Sequence, residues 1–233
     1  MKHNSSNEVT SKLIQPTHGV TIRADGAFQT RESCVNYLSH RTRVDIDRIY
    51  GVHQIHGSTV HVLSSTDTSQ SIYSLDVDGL VLQKKHKPSC VFIKVADCIP
   101  LFLWDTETSN CAVVHSGWKG TYENITNRAI ESMIKIGSRS VTMHAFIGPY
   151  IHECCYQVDT TRARLFKSTY IRSMGGMSYL AIGTAVEDQL IRSGVLKENI
   201  DHSSLCTSCD ARFFSYRREN AHAHGTMVAY IVV

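Results

Sequence analysis

Lys94-Val95-Ala96-Asp97-Cys98-Ile99-Pro100-Leu101-Phe102-Leu103-Trp104, then Asp105-Thr106-Glu107-Thr108-Ser109-Asn110, then Cys111-Ala112-Val113-Val114-His115-Ser116-Gly117-Trp118-Lys119-Gly120, is the stretch that decides the fold. Two apolar runs flank a polar segment, which is the pattern of two strands joined by a turn. Cys98 and His115 sit at the ends of those runs farthest from the turn, and antiparallel pairing brings such ends together. A thiol and an imidazole are therefore expected on one rim of a sheet, beside a Gly-containing bend that opens a helix.

Outward from this hairpin, the N-terminal side reads as short strands at 18–23, 49–56 and 58–63, with a helix over 31–45, a loop at 64–71, and further strands at 80–82 and 89–95. On the C-terminal side the period changes. Ile125, Ala129, Met133 and Ile136 recur at helical spacing, and Gly137 is a suitable stop. A strand follows at 141–147, helices at 160–172 and 184–193, and a closing apolar strand at 226–233. Strands in meander-like groups with helices inserted late favour an α+β fold in one domain, residues 18–233, preceded by a flexible arm over 1–17.

Composition narrows the function classes. The 233 residues are 42% hydrophobic and 19% charged, enough to bury a core. A net charge of +3 is too small to argue for nucleic acid or an anionic membrane, and nothing points to a protein partner. Residues 1–15 lack the apolar segment of a signal peptide, so the eight cysteines read as reduced and the protein as cytoplasmic. Thirteen histidines raise the odds of metal or acid–base chemistry.

Three residues at the ends of apolar runs, each beside Gly or Pro, form the candidate site: His56, Cys98 and His115. Three N/S ligands with an open fourth position describe a catalytic zinc site, although the spacings match no local zinc motif, and pattern alone leaves a buried structural Cys and two ordinary His open. Cys206-Thr207-Ser208-Cys209 is a C-x-x-C without a second spaced pair, because Cys154 and Cys155 are adjacent; these four read as packing residues. Arg217 and Arg218 follow aromatics and can hold phosphate or a planar base, and Lys119 at a helix start can assist an anion; a solvated edge pair and a plain helix entry are the alternatives.

The ordered segments Gln54-Ile55-His56-Gly57, Asp78-Gly79-Leu80-Val81, Ala96-Asp97-Cys98-Ile99-Pro100, His115-Ser116-Gly117-Trp118-Lys119-Gly120, Ile147-Gly148-Pro149 with Cys155-Tyr156-Gln157-Val158, and Cys206-Thr207-x-Cys209 with Phe213-Phe214-Ser215-Tyr216-Arg217-Arg218 together resemble the YfiH/YlmD family. Its members are called laccase-domain or multicopper polyphenol oxidase proteins and, more recently, purine nucleoside phosphorylases. The resemblance implies packed mixed β-sheets flanked by helices, distantly like cytotoxic necrotizing factor. It implies a zinc site, with copper as the alternative, on His56, Cys98 and His115, which are also the implied catalytic residues. The implied substrates are purine nucleosides and phosphate. The implied reactions are phosphorolysis of adenosine, inosine and methylthioadenosine, and deamination of adenosine. Two departures stand out. Thr21-Ile22-Arg23-Ala24-Asp25-Gly26-Ala27 is a reduced form of the usual N-terminal motif, and Lys119 replaces an Arg, losing the bidentate fork.

Within that reading, Asp97 or His53 is a proton-shuttle candidate by proximity, and Asp97, Lys119, Arg217 and Arg218 are candidates for holding substrate or phosphate. Three other functions compete: a Cys–His hydrolase or deamidase with Cys98 as nucleophile and His115 as base, a copper-dependent polyphenol oxidase, and a metal-stabilised interaction module.

Overall fold

The computed structural model describes residues 8–84, 88–219 and 225–233. The expected hairpin is its centre. Strands are numbered in chain order: β1 His18–Val20, β2 Ile49–Tyr50, β3 Val60–Val62, β4 Gly79–Leu82, β5 Cys90–Val95, β6 Ile99–Asp105 and β7 Cys111–Ser116. They continue with β8 Met143–Ile147, β9 Gln157–Val158, β10 Ile171–Met174, β11 Met177–Leu180, β12 Ile200–His202 and β13 Met227–Val232. The helices are α1 Arg31–Thr42, α2 Ser69–Tyr73, α3 Trp118–Tyr122, α4 Ile125–Lys135, α5 Thr160–Ala163, α6 Ile182–Arg192 and α7 Tyr216–Glu219.

β6 and β7 pair antiparallel from Ile99↔Ser116 to Trp104↔Cys111, so Pro100 lies opposite His115. The turn is held by the buried Asp105. Its carboxylate accepts hydrogen bonds from the backbone N–H of Glu107 and Thr108 and from the hydroxyls of Thr108 and Thr142. The hairpin sits inside a six-stranded sheet of order β12-β8-β6-β7-β4-β3. A four-stranded sheet, β1-β13-β5-β2, packs on one face of it, and a small sheet, β10-β11-β9, lies beside the helices.

Why the apolar runs are continuous is now plain: both faces of the central strands are covered. Phe102, Trp104, Val113 and Leu80 face Ile93, Val95, Ala229 and Ile231 of the second sheet. Their neighbours Leu101, Leu103, Ala112 and Val114 face Ile125, Ala129, Met133, Ile182 and Leu190 of α4 and α6. The outer face of the second sheet, with Phe92, Val228 and Tyr230, is closed by Cys34, Val35 and Leu38 of α1. Helix, sheet, sheet and helix are thus the layers of one mixed α/β domain.

Four expectations are corrected. The strand expected over 49–56 stops at Tyr50, and the following residues form a loop; there Gln54 takes over the ladder with its side chain, donating to Lys94 O and accepting from Lys94 N, each at 2.8 Å. The helix expected over 160–172 is one turn, α5, because the chain then turns into β10. α2 occupies part of the expected loop 64–71. The expected flexible arm is packed from residue 8 onward: Val9 and Val20 exchange backbone hydrogen bonds, Ile14 is in the core, and Glu8 pairs with Arg41. Residues 1–7 of that arm lie outside the described residues. Among the described residues, no helix is long and apolar enough to cross a membrane.

Candidate functional site

His115 enters the site from the end of β7, paired with the start of β6, and Cys98 stands just before β6. His56 arrives from the loop after β2. That loop is wrapped around one carboxylate: Asp78, fully buried, accepts from the backbone N–H of Ile55, His56 and Gly57 at 3.3, 3.0 and 2.6 Å. The same carboxylate accepts from His115 Nδ1 at 2.7 Å. Nδ1 therefore carries the proton and Nε2 is left for the site, the usual way a carboxylate fixes a ligating imidazole. Asp78 is the hub that joins two of the three candidate residues.

One ligand atom from each of His56, Cys98 and His115 lies within 4.8 Å of the others, a potential metal-binding group. The two imidazole rings meet edge to face at 4.7 Å. Burial is graded from His115, 3% exposed, through half-buried Cys98 to exposed His56, so the group opens on one side. Burial pushes the Cys98 thiol up, but the charge of His115 and hydrogen bonds from both histidines outweigh it and bring the thiol to about 6. Burial lowers His115, and the Cys98 thiolate and the Asp78 carboxylate carry it up to about 9.

Two close approaches need glycine. A Cβ on Gly117 would stand 3.0 Å from Cys98 Sγ and 3.4 Å from His56 Nδ1, and one on Gly120 would stand 2.6 Å from Gly57 O. Gly117 caps α3 and Gly120 lies within it, in the segment after β7 that must pass against the His56 loop. Backbone strain also gathers here, since His56 and Asp97 adopt φ of 57° and 83°.

The group forms part of the wall of a cavity of about 620 Å³, roomy enough for a nucleoside, whose other walls include Trp118, Tyr156, Arg162, Tyr216 and Arg217. Arg162 lies over the Trp118 ring at 4.5 Å, and its buried Nε has no hydrogen-bond partner among the described residues. Arg217 is fixed beside Tyr156 by donating to Cys155 O and Gln157 O.

The remaining candidates divide. Arg217 and Asp97 line the cavity. The Asp97 carboxylate accepts from Thr207 Oγ1, Ser215 Oγ and Arg217 N, which ties it to the start of α7. Arg218 is turned away and spends its guanidinium on Thr207 O, Ser208 O, Asp210 O and Phe213 O. Lys119 points outward to Glu123, because Gly120 and Thr121 take the inner face of α3, and it is not part of the cavity wall. His53 pairs with Asp76 on the surface. Sequence reasoning missed Asp78 as a site residue, though the D-G-L-V segment was singled out, and missed Arg162 altogether, since a lone Arg in a short helix carries no local signal.

The family model described as multi-copper polyphenol oxidoreductase laccase covers residues 25–233. This chain belongs to that family. Among its relatives, a purine nucleoside phosphorylase of Campylobacter jejuni is 29% identical over 88% of this chain and 86% of its own length. An adenosine deaminase from an unknown prokaryotic organism, RL5, is 28% identical over 78% of this chain and 74% of its own. The solved structure of YlmD from Geobacillus stearothermophilus covers 95% of this chain and 93% of its own with a TM-score of 0.83 at 24% identity, which speaks for the fold. YfiH of Bacillus licheniformis gives a TM-score of 0.82, covering 94% and 92%, at 24% identity. The fold and the family are those expected from the ordered motifs, and relatives named purine nucleoside phosphorylase and adenosine deaminase support an enzyme of this family.

Proposed function

We propose that this chain is a zinc-dependent purine nucleoside enzyme that phosphorolyses adenosine, inosine or methylthioadenosine and deaminates adenosine. The observation that carries the reading is the His56–Cys98–His115 group on the wall of a cavity that also offers aromatic faces and two guanidinium groups. Two imidazoles and a thiolate fit a zinc ion with a fourth position toward the cavity. Such an ion would supply Lewis acidity at that wall. The names of the relatives support the substrate class.

The chain's own residues then have separable tasks. Trp118, Tyr156 and Tyr216 offer faces for a purine. Arg162 and Arg217, both on the cavity wall, hold phosphate beside the sugar. In phosphorolysis a phosphate oxygen bonds to the anomeric carbon while the bond to the purine nitrogen breaks, its electron pair leaving with the base. Orientation by the two arginines shortens that attack path. Asp78 keeps Nδ1 of His115 protonated throughout, and Asp97 keeps Arg217 in place.

A second reading is favoured by one specific arrangement: Cys98, His115 and Asp78 also have the order of nucleophile, base and orienting carboxylate, with the thiol already shifted to about 6. The copper oxidase reading finds little support. Among the described residues, the His/Cys/Asp/Glu groups able to hold a metal are two, this one and a set of four cysteines, and neither resembles a multinuclear His-rich centre. The discriminating experiment is a screen of adenosine, inosine and methylthioadenosine with and without phosphate, on untreated, chelated and thiol-alkylated protein. Phosphate-dependent release of the base that is lost on chelation and returns with zinc supports the proposal. Activity that survives chelation and vanishes on alkylation sinks it in favour of the hydrolase.

A further inference from the structure

Cys154, Cys155, Cys206 and Cys209 were expected to be packing residues, and the structure gives them a different environment. Cys154 and Cys209 are exposed, Cys155 is half-buried and only Cys206 is buried. Exposed thiols gain little from packing, yet these four converge on one point, with all four sulfurs within 4.8 Å of one another. All are free thiols.

The separations carry the argument. Cys154 Sγ lies 3.7 Å from Cys155 Sγ, 3.7 Å from Cys206 Sγ and 3.6 Å from Cys209 Sγ, and Cys155 Sγ lies 3.3 Å from Cys209 Sγ. A tetrahedral ion with metal–sulfur bonds of about 2.3 Å sets its sulfurs about 3.8 Å apart along each edge. The four thiols thus already stand at nearly the spacing of a mononuclear tetrathiolate site. A multi-iron cluster would hold its cysteines farther apart, because its irons and sulfides lie between them.

The surroundings suit thiolates. His152 N donates to Cys206 Sγ at 3.4 Å. Four thiolates around a divalent ion leave two negative charges, and two guanidinium groups are fixed on the backbone of the same loops: Arg217 on Cys155 O, Arg218 on Thr207 O and Ser208 O. Backbone hydrogen bonds already join the two segments, from Thr207 N to Tyr150 O at 2.9 Å and from Tyr150 N to Leu205 O at 3.4 Å.

We propose that Cys154, Cys155, Cys206 and Cys209 form a structural zinc site, separate from the His56–Cys98–His115 group, that staples the turn before β9 to the segment leading into α7. The staple sits behind the cavity wall. Thr207, between two of the ligands, anchors Asp97, while Cys155 O and Gln157 O anchor Arg217. Spacing templates miss such a site because one of its two ligand pairs is adjacent in sequence, so no pair of C-x-x-C motifs announces it.

The proposal is independent of what the first group does, and its test isolates it. A Cys98→Ala/His115→Ala variant removes two of the three residues of the first group. Purified from zinc-supplemented cells and desalted, it should retain about one equivalent of zinc by mass spectrometry. Adding Cys206→Ser/Cys209→Ser should bring zinc to background. Cobalt loaded into the Cys98→Ala/His115→Ala protein should give the intense near-ultraviolet sulfur-to-metal absorption of four thiolates, a readout that stands even if the serine variant fails to fold. Absence of metal and of that absorption in the Ala variant overturns the proposal. So does metal retained after the serine changes, iron in place of zinc, or a disulfide among these four cysteines in anaerobically purified, denatured, non-reduced protein.

Discussion

Replacing Asp78 by Asn tests the hub of the site with one atom. Oδ1 of Asp78 accepts from His56 N and His115 Nδ1, and Oδ2 from Ile55 N and Gly57 N. An Asn amide has one acceptor and two donors, so it cannot reproduce both sides. With its oxygen toward His115, the NH₂ group faces the N–H of Ile55 and Gly57, and two bonds to a charged acceptor are lost. With its NH₂ toward His115, the N–H of His56 is orphaned and Nδ1 must become an acceptor, which moves the ring proton to Nε2 and blocks that nitrogen as a ligand. Hydrogen bonds to charged groups contribute about 1.5–3 kcal/mol each. The less costly orientation is the second, so Asp78→Asn should lose about 2–4 kcal/mol of stability and, through the tautomer, about 10–100-fold in zinc affinity at the His56–Cys98–His115 group. Chemical denaturation measures the first and competition with a chromophoric chelator the second, in a Cys206→Ser/Cys209→Ser background if the four-cysteine group also binds. A folded Asp78→Asn protein with zinc affinity within twofold of wild type would refute the claim that Asp78 sets the His115 tautomer.

Three other changes separate the parts. Gly117→Ala puts a methyl 3.0 Å from Cys98 Sγ and should weaken zinc binding several-fold while circular dichroism stays native. Arg162→Ala should raise the KM for phosphate by about tenfold, the loss of one charge-assisted contact of roughly 1.4 kcal/mol, with zinc content unchanged. In the β6–β7 turn, burial raises the Asp105 carboxyl but hydrogen bonds from Thr108, Thr142 and two backbone N–H groups lower it further, so its folded pKa is depressed. A depressed carboxylate contributes stability that is present above its unfolded pKa, about 3.9, and is lost as pH falls through the folded value. Asp105→Asn should therefore be about 1.5–3 kcal/mol less stable at pH 7, with a gap to wild type that narrows below about pH 4 in urea titrations.

The hairpin was legible because its two apolar runs are long, bounded by turn residues and buried on both faces. α4 was legible because Ile125, Ala129 and Met133 repeat on one face, and Gly137 ends it at a φ of 97°. The loop after Tyr50 was read as strand because the run Ile49-Tyr50-Gly51-Val52-His53-Gln54-Ile55-His56 alternates enough for one. Its backbone instead turns to meet Asp78, and the decision lies in a residue 22 positions from His56. The short strands β9 to β12 hold too few residues to show a period. At the site, segment ends that flank Gly or Pro pointed to His56, Cys98 and His115, and the structure gathers them. Lys119 and Arg218 lie off the cavity wall for a common reason: a charged residue's type is visible in sequence, but the face it takes is set by its neighbours, here Gly120 and the carbonyls of the 207–213 segment.

The most direct test of the central claim is zinc content and phosphate-dependent turnover of adenosine and inosine, measured together for wild type and Cys98→Ala. Cys98 is assigned as a ligand, so Cys98→Ala should lose the zinc of that group and nucleoside turnover in parallel, with little change in thermal unfolding because His56, His115 and the sheet remain. A Cys98→Ala protein that keeps its full zinc occupancy yet has no turnover would contradict the account and make Cys98 a nucleophile.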